Sequence, residues 1–357
     1  MTGERLLVTG IGAVTWNGLG VEAVGRALNG GAATFPSEET SEGQSVPIGR
    51  VGRLRDTDAA SFYPRWGQLD TYSRYGFSAA RMALEESGIL AQEGGRDRIG
   101  VLLGTAFGCI EENQRFDRYE VEDGVVRGAS PLVFKGTVDN APAGWIAVAW
   151  KLQGPNATFV SGDGAALEAL WSAEGLLRAN RAEALVVGGV ERFVDLHLRL
   201  RRRDASRQGE TLSEGSGVAI VEREDAFLRR GGDLAEVRAE LVGVARTTGQ
   251  LGDALPSALK GLGVSLGDVG LVSVASPSED ELLSELGNAL PERVELVADK
   301  VRLGEFHGAW GGVALCAALY RLGASGAGWN GRPHAVVHAF GEGRENFFAV
   351  LREVSGR

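Results

Sequence analysis

The chain has 357 residues, 44% of them hydrophobic and 24% charged, with 53 glycines, so it buries a large core either as one domain or as two fused halves. A formal net charge of −10 argues against a general nucleic-acid surface, and the sequence holds no run of about 18 apolar residues to span a bilayer. The two cysteines, Cys109 and Cys316, are too few and too far apart for a disulfide framework or a zinc site, so no metal or other cofactor is expected.

Glu4 and a strand-like Arg5–Thr9 run stand first, in place of a leader pattern, and the expectation is a cytoplasmic protein. Apolar or β-branched runs occur at Leu6–Thr9, Ile99–Leu103, Thr158–Val160, Ala184–Val190, Val218–Val221, Val237–Val244, Val269–Val274, Val294–Val297, Ala335–His338 and Phe347–Leu351. Helical stretches alternate with them. Tyr72–Ser87 places Phe77, Ala80 and Leu84 on one face with Gly88 as its C-cap, and Asn140–Leu152 and about Gly164–Asn180 follow. The alternation predicts an α/β fold. A strand, a Gly-rich turn and a small-residue helix occur at Thr158–Leu177 and again at Val294–Leu322. Two related halves are expected from this echo, residues 1–230 and 231–357, joined near the charged, Gly-paired Arg229–Asp233 stretch.

The most informative stretch is Ser161-Gly162-Asp163-Gly164-Ala165-Ala166-Leu167-Glu168-Ala169-Leu170, which has the shape of a nucleophile-bearing strand-to-helix turn. Val8-Thr9-Gly10-Ile11-Gly12, Asn140-Ala141-Pro142-Ala143-Gly144 and Gly154-Pro155-Asn156 precede it. Gly188-Gly189-Val190-Glu191, Glu214-Gly215-Ser216-Gly217-Val218, Lys300, Gly304-Glu305-Phe306-His307-Gly308-Ala309-Trp310-Gly311 and Phe340-Gly341-Glu342-Gly343 follow. In this order the segments resemble the β-ketoacyl synthase family. The resemblance implies a thiolase-like fold, a five-layered αβαβα body of two related halves that dimerises through the N-terminal one. It also implies a trimmed surface excursion around Arg246–Gly261.

Decarboxylative condensation needs a thiolate, which a helix N-terminus stabilises, and donors for the enolate and the tetrahedral oxyanion. By the resemblance these are one cysteine and two histidines, and this chain carries none of the three. Asp163 stands at the cysteine position, Glu305 at the second histidine position, and Val272–Asp280, the segment matching the first histidine turn, contains no histidine. His307 lies two residues beyond Glu305, about 200° round a helical segment, and is read as a packing or polar-network residue facing elsewhere. Asp163 is read as a cap that complements the helix dipole. With Lys300 and Arg344 as counter-ions, Asp163 and Glu305 are expected to fill and close a vestigial site. Glu342 and Arg344 then plug the gating loop.

A synthase-like scaffold without its catalytic set resembles the chain length factor of type II polyketide synthases. That implies a catalytically inactive subunit that pairs with an active ketosynthase α subunit, as a heterodimer or a dimer of heterodimers, and shapes the tunnel in which the chain grows on an acyl carrier protein. The Asp163 turn and shorter body point to a highly reducing, polyene-forming system. Cys109, Glu112 and Phe116, at i, i+3 and i+7, are the expected tunnel wall, with Phe116 as end stop and Glu112 anomalous for an apolar tunnel unless it pairs across the interface. Phe134 and the strand Thr158, Phe159 and Val160 are the expected partner contacts. Arg192, Arg199–Arg203 and Arg207 offer a basic run to the acidic carrier protein. Two other readings stay open: a malonyl decarboxylase or acyltransferase using Asp163 and Glu305, and an inactive homodimeric scaffold.

Overall fold

In a computed structural model, residues 4–30, 34–39, 45–52, 54, 63–91, 94–123, 130–201, 210–276, 286, 290–291, 293–325 and 328–354 are described. Their strands are β1 (Leu6–Thr15), β2 (Gly18–Leu19), β3 (Ser37–Glu39), β4 (Ser45–Gly49), β5 (Ile99–Thr105), β6 (Asn156–Val160) and β7 (Ala184–Glu191). There follow β8 (Leu212–Ser213), β9 (Gly215–Arg223), β10 (Ala239–Thr248), β11 (Val269–Ser273), β12 (Glu295–Val297), β13 (His334–Phe340) and β14 (Glu345–Arg352). Each of the ten predicted strands is present, most of them a few residues longer than its apolar run. No helix among the described residues is long and apolar enough to cross a membrane.

One hydrogen-bonded path runs β12-β11-β13-β14-β10-β1-β9-β7-β5-β6, with β2 folded back on β1 and a separate small sheet, β3-β4-β8. The path narrows where β1 meets β10 through the pairs Leu6–Leu241, Leu7–Glu240 and Val8–Ala239. On one side, β6, β5 and β7 are parallel and β9 and β1 antiparallel. On the other, β12, β11 and β13 are parallel and β14 and β10 antiparallel. Numbered within its own half, each array has the order third, second, fourth, fifth, first. The echo seen in sequence is therefore a repeat of topology.

Strand alternation builds the layers, because successive side chains point to opposite faces. Leu102, Leu185, Val187, Ala219 and Val221 of the first array and Ala335, Val337, Phe347, Ala349 and Leu351 of the second enter one core. That core encloses two helices, Ala165–Arg178 and Trp310–Ser325. The alternate positions Val101, Leu103, Val186, Val218 and Ile220 face an outer layer containing the Thr71–Ser87 and Ala141–Trp150 helices. Val272, Val336, Phe348 and Val350 face the Leu251–Gly261 helix. Sheets covered on both faces explain why every residue of β1, β5 and β7 is buried and why their sequences are mostly apolar rather than alternating with polar residues.

The central helices lie close to the sheet backbone. A Cβ on Gly217 of β9 would sit 2.2 Å from the Gly312 carbonyl carbon, so only glycine admits this approach. At the ends of the Thr71–Ser87 helix, Asp70 accepts from the Ser73 amide at 2.7 Å, and Gly88, the predicted C-cap, adopts φ +64°. The consequence for function is positional. As the halves repeat, the turn after β6 and the turn before Trp310 bring two central helix N-termini together.

Candidate functional site

Asp163 sits in a 3-10 turn, Gly162–Gly164, entered through Gly162 at φ +70° and running into the Ala165–Arg178 helix. The opposing turn, His307–Ala309, runs into the Trp310–Ser325 helix. Across the junction His307 Nδ1 lies 3.1 Å from Asp163 Oδ1, and both side chains are largely buried. The expectation that His307 faces away is corrected here. Glu305 is extended, not helical: its amide donates to Thr211 O at 2.7 Å and its carbonyl accepts from the Ser213 amide at 2.8 Å. The chain then reverses at His307, φ +46°, an uncommon conformation for a non-glycine residue, held by the His307 amide donating to Glu305 Oε1 at 2.7 Å.

Charge in this junction is internally balanced. Lys300 Nζ donates to Glu305 Oε2, both groups being buried, and the ammonium lies 5.2 Å from the centre of the Trp310 ring. Burial alone would lower the His307 pKa, but the Asp163 hydrogen bond and the charges of Glu305, Asp163 and Glu191 reverse this and raise it. Glu191 is buried behind His307 and accepts from the amides of Ala106 at 2.7 Å, Phe107 at 3.2 Å and Gly308 at 3.2 Å. Burial pushes its carboxyl up to about 7 against the opposing pull of His307 and these donors. Two partnered ion pairs thus replace the expected four-residue network: Asp163 pairs with His307, and Lys300 pairs with Glu305. Arg344 lies within the Glu342–Arg344 turn, and its side chain is outside the described residues.

The potential ligand atoms of Asp163, Glu305 and His307 lie within 4.8 Å of one another, a separation that fits a cation. Both oxygens of Glu305 are already held, one by Lys300 and one by the His307 amide, so a metal would have to displace a buried ammonium. The arrangement can hold a proton between Asp163 and His307. It presents no thiolate and no second histidine beside Asp163 in the family's pattern.

The remaining predicted residues separate into distinct places. Cys109 precedes the Ile110–Asp123 helix, buried, its Sγ 3.1 Å from Asp139 Oδ1; burial and that carboxylate push the thiol up to about 12. Glu112 is buried but meets its own chain, 3.6 Å from Arg115, with a pKa raised by burial and by the Asp70 charge. Phe116 is half-buried, its ring centre 5.8 Å from that of the exposed Phe134. Phe159 packs on the central core, whereas Val160 is exposed. Glu342 is exposed, within about 4 Å of where a Cβ on Gly162 would stand. Arg192 cannot serve a carrier protein, because it is committed to Glu111 at 2.9 Å and to buried Glu214. Arg199 is exposed; the side chain of Arg201 and residues Arg202, Arg203 and Arg207 lie outside the described residues, as do 277–280 of the first-histidine segment.

Sequence reasoning missed Phe107 and His197. The Phe107 ring lies 4.1 Å from His197 and 5.1 Å from His307, filling the space beside the turn. His197 accepts from the Val194 amide at 2.9 Å, and burial lowers its pKa to about 3, so its imidazole is neutral. Glu191 was visible only as part of a Gly-Gly-Val-Glu motif. Nothing in the linear pattern signals Phe107 or His197, which meet only when β5 and β7 lie side by side.

The family description "Beta-ketoacyl synthase, N-terminal domain" matches residues 4–226. The 3-oxoacyl-[acyl-carrier-protein] synthase 2 of Vibrio cholerae serotype O1 is 25% identical over 367 residues, 90% of this chain and 87% of that protein. The Vibrio harveyi protein of the same name is 27% identical over 275 residues, 71% of this chain and 64%, just under two thirds, of the relative. Among solved structures, "The ishigamide ketosynthase/chain length factor" superposes with a TM-score of 0.84 at 16% identity, covering 99% of this chain and 100% of that one. The complex of the ketosynthase ApeO with its chain length factor ApeC from Xenorhabdus doucetiae gives 0.77 at 15% identity, covering 98% of each. The structural likenesses establish the thiolase-like fold, and the match over residues 4–226 establishes the rest: this chain belongs to the β-ketoacyl synthase family.

Proposed function

We propose that this chain is a catalytically inactive ketosynthase-like subunit that pairs with an active, cysteine-bearing ketosynthase and shapes the tunnel in which a polyketide grows. The observation that carries the reading is the pair of closed contacts at the junction, Asp163 with His307 and Glu305 with Lys300. Asp163 and Glu305, read at the condensation positions, are each spent on a neighbouring side chain. By this assignment the partner covers the exposed Leu132, Phe134, Val148 and Val160. On this reading the first half, residues 1–230, carries dimerisation through Phe134 and the strand Thr158, Phe159 and Val160, and residues 231–357 complete the body. Cys109, Glu112 and Phe116 form the tunnel wall, with Phe116 setting its depth, Glu342 and Arg344 close the gating loop, and the acyl carrier protein delivers the chain through the active partner. We place it in a highly reducing, polyene-forming type II system.

Co-expression with a cysteine-bearing ketosynthase tests the assignment. A stable one-to-one complex is the expected result, and Phe116→Ala should shift its products to longer chains. A soluble homodimer that ignores the ketosynthase would favour the scaffold reading. Turnover of malonyl-carrier protein by the chain alone, abolished by Asp163→Ala, would favour the decarboxylase. The latter needs Glu305 free to exchange a proton, yet both of its oxygens are engaged.

A further inference from the structure

Four consecutive amides lead into the Ile110–Asp123 helix, which carries Glu112 and Phe116, and each donates to a side-chain oxygen. Those of Ala106 and Phe107 go to Glu191 at 2.7 and 3.2 Å, that of Gly108 to Thr105 Oγ1 at 2.9 Å, and that of Cys109 to Asp139 Oδ1 at 3.1 Å. Thr105 and Glu191 end β5 and β7, so the first three bonds tie the turn to the sheet. The fourth has another origin. Asp139 closes the segment 131–139, which begins with the short Pro131–Phe134 helix and carries the exposed Leu132 and Phe134.

Asp139 fits this turn closely. Its Oδ1 also lies 3.1 Å from Cys109 Sγ, and the thiol, pushed up to about 12 by burial and by this carboxylate, keeps the proton it donates. A Cβ on Gly108, at φ +57°, would stand 1.9 Å from the same oxygen, so only glycine leaves room for it. The Tyr72 hydroxyl donates to the Asp139 carbonyl oxygen at 3.2 Å and fixes the backbone of the segment there. The Asn113 amide donates to Cys109 O at 3.0 Å, so Cys109 accepts at the start of the helix, and a shift there is carried along it to Phe116, about two turns on. At Phe116 the same segment returns, with the Phe134 ring centre 5.8 Å away. We propose that Asp139 is a positioning residue for chain length: by holding the Cys109 amide and thiol it sets where Phe116 stands, and so how deep the tunnel runs. This rests on the tunnel role proposed for the helix. Condensation itself belongs to the active partner, so Asp139 governs product length rather than rate.

The complex with a cysteine-bearing ketosynthase, supplied with malonyl-carrier protein, tests this through mass spectrometry of the carrier-bound products. In Asp139→Ala, which removes the acceptor, the ratio of parent-length to longer chains should fall about tenfold, the scale on which an apolar pocket separates neighbouring lengths, while total condensation is kept. Asp139→Asn retains one oxygen for Cys109 and should return the parent distribution. Gly108→Ala, whose methyl group would displace the same oxygen, should reproduce the shift in a chain that keeps Asp139. Unchanged lengths in both alanine variants, loss of pairing or of total product in both without a change of length, or an equal shift in Asp139→Asn would each overturn this assignment alone. A parent chain that forms no complex would overturn the proposed function and this assignment with it.

Discussion

Asp163 lies where two helix N-termini converge, and a carboxylate there accepts stabilisation that a neutral side chain would not. Replacing it by the family's nucleophile should still not restore chemistry. Asp163→Cys leaves Glu305 and its Lys300 partner at the second histidine position and no histidine in Val272–Asp280, so condensation with acyl- and malonyl-carrier protein should stay at background; measurable ketone formation would contradict this. The Lys300–Glu305 pair makes a separate test, because removing one partner strands a buried charge. Lys300→Met should destabilise by about 3–5 kcal/mol in urea unfolding, and Lys300→Met with Glu305→Gln should recover at least half of that loss. Equal losses in the single and double variants would show that the ion pair does not carry the effect. At this scale the sequence singled out Asp163 and Glu305 and offered Lys300 and Arg344 as counter-ions for both; of these, Lys300 meets Glu305. The same reading misplaced His307, because that required knowing that Glu305 pairs with Thr211 and Ser213 in an extended conformation rather than continuing a helix.

The informative element is β6, the strand at the end of the hydrogen-bonded path. The Val101 amide donates to Pro155 O at 2.8 Å, so by alternation the backbone groups of Asn156, Thr158 and Val160 point away from β5 and toward open space. An edge of this kind is a template for another strand. Thr158→Pro removes an outward N–H, and Val160→Lys places a charge on an exposed edge residue. Each should prevent co-purification with a ketosynthase while leaving the far-ultraviolet dichroism of the chain unchanged. Retention of a one-to-one complex by both variants would rule out strand continuation as the mode of pairing. The ten strands and the three helices were legible from apolar runs, a shared apolar helix face and the Gly88 C-cap, signals that act within a few residues of where they stand. The short β3-β4-β8 sheet was not legible, since its strands are brief and β4 gains β8 only through the pairing of Ile48 with the sequence-distant Leu212.

For the whole molecule, buried titrating groups set opposing pH dependences. His338 is buried, with Nε2 3.0 Å from Asn346 Oδ1, and its pKa is lowered to about 3, so it is held neutral in the fold. Its unfolded counterpart titrates near 6.5, so its contribution is complete above that value and is lost as pH falls from about 6.5 towards 3. His307 behaves in the opposite sense: its raised pKa favours the imidazolium, and its contribution is complete below about 6.5 and lost as pH rises through the higher folded value. Glu191, raised to about 7, adds to that loss between about 4.5 and 7. Urea unfolding followed from about pH 4 to 9 should show His338→Gln flattening the acid limb and His307→Gln flattening the decline above about pH 6.5, whatever either variant does to absolute stability. An unchanged alkaline slope in His307→Gln would count against a charged His307.

What the sequence by itself determined is what local physics specifies. Apolar and β-branched runs marked the strands, a shared apolar face and the Gly88 cap marked the helices, and the echo between Thr158–Leu177 and Val294–Leu322 corresponds to a strand order that repeats. The reading of Asp163 and Glu305 at the cysteine and second-histidine positions comes from the family resemblance alone. Only the tertiary structure decided what those two side chains meet. Asp163 and His307 are separated by 144 residues and meet because the two halves appose their central helices. Phe107, Glu191 and His197 join them because β5 and β7 are neighbours in one sheet. A residue's neighbours across the chain, and a backbone angle such as the +46° at His307, are set by contacts that exist only once the whole fold has closed around them.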